Sequence, residues 1–185
     1  ARHVAGGQRV AHRGAGDTQA MDFVALHARH VEAVHRTGGI EKHDGDGNIS
    51  YQPDNHEHMV RLRQEKVDRI AADIAGVELD EEDGAELLVV GWGSTWGAIT
   101  AGVRRLRATG ERISQAHLTH LNPLPADLGD VLARYPKVLC PELNLGQLAM
   151  LLRSRYLVDV ASFTKVAGLP FGAAEMEVRM REELA

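Results

Sequence analysis

The sequence predicts an α/β protein: a mostly parallel sheet with helices on both faces, preceded by a helical and irregular arm. Three observations carry that expectation. From residue 86 onward, short apolar runs alternate with amphipathic stretches in the order strand, helix, strand, helix. The strand runs are nearly continuous in apolar residues, as strands covered on both faces must be. Finally, Glu86-Leu-Leu-Val-Val-Gly-Trp-Gly-Ser-Thr-Trp-Gly97 reads as a buried strand, a glycine-rich turn and the start of a helix.

The 185 residues suffice for one well-buried domain plus an appendage. Apolar residues make up 44% and charged residues 25%, ordinary values for a globular chain. A net charge of −5 and an aromatic content of 4% argue against a nucleic-acid partner. No apolar run approaches the ~20 residues of a membrane span, and no signal-peptide pattern opens the chain, so no membrane partner and a cytoplasmic location are expected. Cys140 is the single cysteine. An internal disulfide, a cysteine zinc site and a self-contained iron–sulfur ligand set are therefore excluded.

Three segments are expected. Residues 1–36 read as an atypical, weakly ordered arm; Ala, Arg, Gly and His fill 21 of the first 35 positions. His27 and His30 stand at i, i+3 spacing, but a metal reading yields to that of a weakly ordered arm. Residues 37–84 read as turns, a helix and an acidic linker. Asp44-Gly-Asp46-Gly-Asn48 resembles a calcium loop, yet Ile49 and Asn55 stand where glycine and glutamate belong, so an Asp-Gly hairpin is preferred. A helix is expected over 55–75, with Asp54 and Glu57 as a capping box and Met59, Val60, Val67, Ile70 and Ile74 as an apolar stripe. Arg61–Glu65, Glu65–Arg69 and Arg69–Asp73 are its expected ion pairs. Residues 78–84, rich in acid and poor in apolar groups, read as the linker.

The α/β domain is expected over 85–185, with strands at 86–90, 112–118, 137–141 and 157–163 and helices at 95–109, 126–135, 145–155 and 173–183. In such a sheet, ligands and partners meet the loops at the carboxyl ends of the strands, here 91–97, 119–125, 142–145 and 163–170. The turn Gly91-Trp-Gly93-Ser-Thr-Trp-Gly97 starts like a dinucleotide fingerprint. Its third glycine comes one residue late, no ribose-binding acid follows, and the P-loop ending is absent, so dinucleotide binding and ATP hydrolysis are rejected. The glycines are expected to allow close backbone approach, with Ser94 or Thr95 capping the helix. His117 and His120 flank a strand end but lack an orienting carboxylate or a nucleophile in the same motif, which favours an interface role over acid–base work. Cys140 is expected to be buried and inert. Glu142 and Asn144 end a strand, placed to cap the next helix or contact a neighbour.

The ordered motifs resemble a known family. Thr37-Gly-Gly-Ile-Glu-Lys42, Gly47-Asn-Ile-Ser-Tyr51, Asn55-His56 with Met59-Val-Arg61, Gly91-Trp-Gly-Ser-Thr95, Ala116-His117-Leu118, His120-Leu-Asn-Pro123, Pro141-Glu-Leu-Asn-Leu-Gly-Gln-Leu148 and Val166-Ala-Gly-Leu-Pro-Phe171 resemble the C-terminal region of the alpha subunit of 2-oxoacid:ferredoxin oxidoreductases, especially the 2-oxoglutarate type. The resemblance covers residues 37–176. It implies a domain like the C-terminal domain of transketolases. It also implies oxidative decarboxylation of a 2-oxoacid with coenzyme A, giving an acyl-coenzyme A and passing electrons to ferredoxin. Thiamine diphosphate, magnesium and an iron–sulfur cluster would serve the full complex, and none of them this segment. The implied partners are a beta subunit and a second alpha chain.

No catalytic, cofactor or metal residue is carried over. Gly91, Gly93, Ser94, Thr95, His120, Asn122, Glu142 and Asn144 are the candidate interface or ligand rim, in a segment expected to be inactive alone. Two rivals stand beside this reading. One is a free-standing module of flavodoxin-like architecture taking an anion or nucleotide at the glycine turn; the other is a related transketolase or dehydrogenase module with a different acceptor.

Overall fold

The computed structural model describes residues 41–185. The arm over 1–36, its histidines and the Thr37-Gly-Gly turn lie outside the described residues. Two compact units are present, one ending at Gln64 and the other spanning Glu65–Ala185.

In the first unit, β1 (Glu41–Lys42) and β2 (Ile49–Ser50) pair antiparallel, with Glu41 opposite Ser50. The Asp-Gly sequence closes this hairpin as expected. Asp46 accepts the Asn48 amide at 3.0 Å, and the His43 amide bonds the Asn48 carbonyl at 2.7 Å. Helix α1 runs Pro53–Ile70. Asp54 is therefore not the cap: proline takes the first helical turn, where its missing N–H costs nothing, and Asp54 follows inside that turn. There its charge still favours the positive end of the helix dipole. The hairpin is clasped to the helix. Glu41 accepts from Arg63 at 2.7 Å and meets His56 at 3.3 Å, while Asp44 meets His58 at 2.8 Å. Asn55 donates to the Lys42 carbonyl at 2.9 Å. Arg61 pairs with Glu57 one turn back rather than with Glu65. The apolar stripe of α1 is not buried: Val60 and Ile70 are exposed.

The second unit carries a five-stranded sheet in the order β3, β5, β4, β6, β7. Its strands are β3 (Glu78–Asp80), β4 (Leu87–Trp92), β5 (Ile113–Leu118), β6 (Lys137–Glu142) and β7 (Val160–Thr164). The last four run parallel, and β3 runs antiparallel to β5 at one edge. Between the strands lie α2 (Trp96–Arg107), α3 (Leu128–Ala133) and α4 (Gln147–Tyr156), with α5 (Ala173–Leu184) last.

Period-two alternation along β4 builds both cores at once. Leu87 and Val89 face α2 and α5, where Ile99, Val103, Leu106, Met176 and Met180 are buried. Leu88 and Val90 face α3 and α4, where Leu128, Leu132, Leu148 and Leu152 are buried. At roughly 1.5–3 kcal/mol for each fully buried large apolar side chain, these two layers dominate the unit's stability.

Two expectations fail here. Glu78–Asp80, read as acidic linker, is instead the edge strand. Arg107 holds it: its guanidinium donates to Asp80 Oδ1 at 2.9 Å, to the Asp80 carbonyl at 3.0 Å and to the Ile113 carbonyl at 2.9 Å. Charged side chains are tolerated on a short edge, where they also deter unwanted pairing. The final strand starts at Val160 rather than 157, because Leu157 adopts φ 55° and ends α4, its amide bonding the Arg153 carbonyl at 3.0 Å.

Candidate functional site

The carboxyl ends of the parallel strands carry the turns singled out by sequence. At the end of β4, Gly91 is buried and shielded by side chains. A Cβ there would lie 2.3 Å from Ile99 Cδ1 and 2.9 Å from Thr95 Oγ1. The close approach is thus to the side chains of Ile99 on the following helix and Thr95 in the turn itself, not to another backbone as expected. Gly93 needs glycine for a different reason, since its φ is +57° with open space around it. Thr95 is buried. Its hydroxyl donates to the Trp92 carbonyl at 2.8 Å and accepts the Trp92 amide at 3.2 Å, folding the turn back on itself. Ser94 is exposed.

At the end of β6 the geometry is tighter. Glu142 is fully buried. Its Oε1 accepts from the Leu148 amide at 2.9 Å, from Asn144 Nδ2 at 3.1 Å and from the Trp92 indole at 3.4 Å. Its Oε2 accepts from the Ala149 amide at 3.0 Å. The carboxyl group therefore closes the amino end of α4, where orphan N–H groups and the helix dipole favour an acid. Asn144 Oδ1 takes the neighbouring amides of Gly146 at 2.7 Å and Gln147 at 3.3 Å. Glu142 thus lies beneath the rim rather than on it.

His120 and Asn122 are exposed in the turn after β5 and share no hydrogen bond with the Glu142 group; His120 Nδ1 lies 3.0 Å from Thr119 Oγ1. A cleft of about 120 Å³ lies at this end, lined by Gly76, Glu78, His117, Thr119, His120 and Pro125. His117 is half-buried opposite Glu78 across the β3–β5 pair. Burial pushes its pKa below the ordinary value, and the Glu78 carboxylate opposes that shift. Cys140 is buried, and desolvation with the adjacent Glu142 pushes its thiol far up, so it is no ready nucleophile.

The site therefore unites Gly91, Trp92 and Thr95 with Glu142 and Asn144, and leaves His120 and Asn122 apart. Sequence reasoning missed the Trp92 indole and Asp127, whose two carboxyl oxygens accept the Val77 amide at 3.1 and 3.0 Å. No local pattern announces a bond across 50 residues. Around the polar turns stand exposed apolar side chains: Trp96 after β4, Leu145 after β6, and Val166 and Leu169 after β7. Among the described residues no group of three or more His, Cys, Asp or Glu is placed to hold a metal ion. No described helix is long and apolar enough to cross a membrane.

One antiparallel edge strand, four parallel strands, helices on both faces and strand-end turns closed by their own side chains define an α/β module. No family model matches the chain. Its relatives are nevertheless specific. Over 152 residues it is 55% identical to the 2-oxoglutarate oxidoreductase subunit KorA of Mycobacterium tuberculosis, covering 82% of this chain and 23% of that one. Over 115 residues it is 34% identical to the 2-oxoglutarate synthase subunit KorA of Methanocaldococcus jannaschii, covering 62% and 30%. The fold matches a 2-oxoglutarate:ferredoxin oxidoreductase from Magnetococcus marinus, solved with 2-oxoglutarate, coenzyme A and succinyl-CoA bound. That match has a TM-score of 0.71 and 30% identity, over 80% of this chain and 27% of the other. The chain belongs to the alpha subunits of 2-oxoacid:ferredoxin oxidoreductases and corresponds to part of their C-terminal region. It spans about a quarter of the length of these relatives.

Proposed function

We propose that this chain is the C-terminal α/β module of the alpha subunit of a 2-oxoglutarate:ferredoxin oxidoreductase, and that it serves assembly rather than chemistry. The whole complex would decarboxylate a 2-oxoacid oxidatively with coenzyme A, give the acyl-coenzyme A, and pass electrons to ferredoxin. The observation that carries the assembly role is the character of the strand-end turns. Glu142, Asn144 and Thr95 spend their hydrogen-bonding groups on the module's own backbone, while Trp96, Leu145, Val166 and Leu169 face outward. Exposed apolar side chains on a polar rim suit a subunit contact better than a reaction centre. A beta subunit and a second alpha chain are the partners this role implies, in the cytoplasm.

Thiamine diphosphate, magnesium and an iron–sulfur cluster would serve the complex from outside this segment. The described residues do not fit them. A cluster needs several thiolates, and the one cysteine is buried with a raised pKa. A diphosphate needs free amides at a helix start, and those of Leu148 and Ala149 are taken by Glu142. The free-standing rival places its anion at the glycine turn before α2 instead, where Thr95 Oγ1 already takes the Trp92 amide.

Two assays test this reading. The purified 185-residue chain is expected to show no 2-oxoglutarate- and coenzyme-A-dependent dye reduction, and turnover by the chain alone would overturn the assembly role. Thermal melts with coenzyme A, nucleotides and phosphate are expected to coincide with the ligand-free melt. A rise of several degrees would favour the rival.

A further inference from the structure

The two edges of the sheet are built differently. Edge strand β3 is three residues long, carries Glu78 and Asp80, and is pinned by Arg107. Those are the usual guards against strand addition. At the other edge β7, Val-Ala-Ser-Phe-Thr over 160–164, has neither charge nor proline nor bulge. Among the described residues no strand pairs with its outer side. The Lys165 amide bonds the Glu142 carbonyl of β6 at 3.0 Å. Backbone groups alternate along a strand, so those of Ser162 and Thr164 point away from β6. The flanking residues are Asp159, which is exposed, and Lys165, so the strand has an acid at one end and a base at the other.

We propose that β7 pairs with β7 of a second copy of this chain, antiparallel about a twofold axis at Ser162, joining the two sheets into one. This deepens the assembly reading by naming the second alpha chain's seat. In that register Ser162 faces its own counterpart, Val160 faces the partner's Thr164, and Asp159 faces the partner's Lys165. Antiparallel pairing about a twofold is self-complementary, the condition an isologous contact must meet. The charge order along the strand satisfies it at both ends. Lys165 is already steadied there by Glu175 at 2.8 Å and the Pro170 carbonyl at 3.0 Å, which fixes where its charge sits.

An axis normal to the sheet keeps each helix on its own face, so the two α5 helices would meet side by side. They have the surface for it. Phe163, Ala174 and Val178 line a shallow groove of about 430 Å³ with Glu175, Arg179 and Glu182 around it, and Val178 is 56% exposed. Strand bonds alone bury little apolar area, and this groove adds apolar surface to them.

Sedimentation equilibrium of the full 185-residue chain tests the proposal, beside the variants Ser162→Pro and Asp159→Lys. Proline at Ser162 removes an outward donor and is tolerated on an edge strand. Lysine at 159 sets like charges against Lys165 at both ends. A dimer is expected that Ser162→Pro abolishes and Asp159→Lys weakens about tenfold, with unchanged circular dichroism. Ser162→Cys should give a disulfide-linked dimer on mild oxidation, while Leu79→Cys at the guarded edge should not.

A monomeric wild-type chain, or a dimer indifferent to both variants, would overturn the proposal. So would protection of the 160–164 amides appearing only when a beta subunit is added. In either of the last two cases the chain could still be an assembly module, whereas dye reduction by the isolated chain would strike that broader reading alone.

Discussion

Two strand-to-helix junctions sit side by side at the carboxyl end of the sheet, and they are closed by opposite means. At β4–α2 the turn removes side chains: Gly91 makes room for Ile99 and Thr95, and a single hydroxyl ties the bend. At β6–α4 the turn adds one, a fully buried carboxyl group that gathers two helix amides, an amide side chain and the Trp92 indole of the neighbouring junction. The first junction is held by shape and the second by charge and hydrogen bonds. The second also steadies the first through Trp92. Removing a partner from a satisfied buried network costs more than loosening a packed turn.

That ordering can be broken by substitution. Glu142→Ala strands two buried amides and leaves a cavity, so urea unfolding should show a loss of about 3 kcal/mol. A loss below that of the glycine turn would reverse the comparison. Gly91→Ala drives a Cβ into Ile99 and Thr95, and overpacking of this kind costs roughly 1–3 kcal/mol in the same assay. Thr95→Ala releases the Trp92 amide and carbonyl and should cost about 1 kcal/mol. Ser94→Ala, at an exposed position of the same turn, should stay within about 0.5 kcal/mol of the parent.

Acidity offers a smaller probe, separating the two units. The Arg63 guanidinium and the Lys42 amide hold the Glu41 carboxyl at about 2, against an ordinary 4.5. A depressed carboxyl contributes stability that is present above 4.5 and is lost as pH falls toward 2. Amide exchange in 41–50 should accelerate through that window, and Glu41→Gln should flatten the response. His117 works from the other side. Its pKa is lowered by burial, so the unfolded chain takes up a proton first and the Glu65–Ala185 unit weakens as pH drops below the ordinary 6.5. His117→Asn should remove that part of the slope.

The parallel strands and their helices were legible because their periods differ. Leu87 to Val90 is apolar at every position, whereas Leu128, Val131, Leu132 and Tyr135 recur at helical spacing. Strand β3 was illegible: one leucine between acids carries no strand pattern, and its pairing depends on Arg107, 27 residues away. Glu142 and Asn144 could be placed at a strand end as possible caps, but burial of the glutamate could not be foreseen. Its main partners are backbone amides, which no sequence pattern distinguishes. Gly91 is legible as a place of close approach but its neighbour is a side chain rather than a backbone, because Ile99 becomes adjacent only once α2 has formed. Family motifs were readable where geometry was not, since they require only order along the chain.

The most direct test of the central claim is an exchange. In the Mycobacterium tuberculosis alpha subunit, the segment matched over 152 residues would be replaced by the aligned residues of this chain, and the chimera expressed with its partner subunit. The account predicts a complex of native size that reduces a viologen dye with 2-oxoglutarate and coenzyme A. A folded chimera that fails to assemble would contradict it.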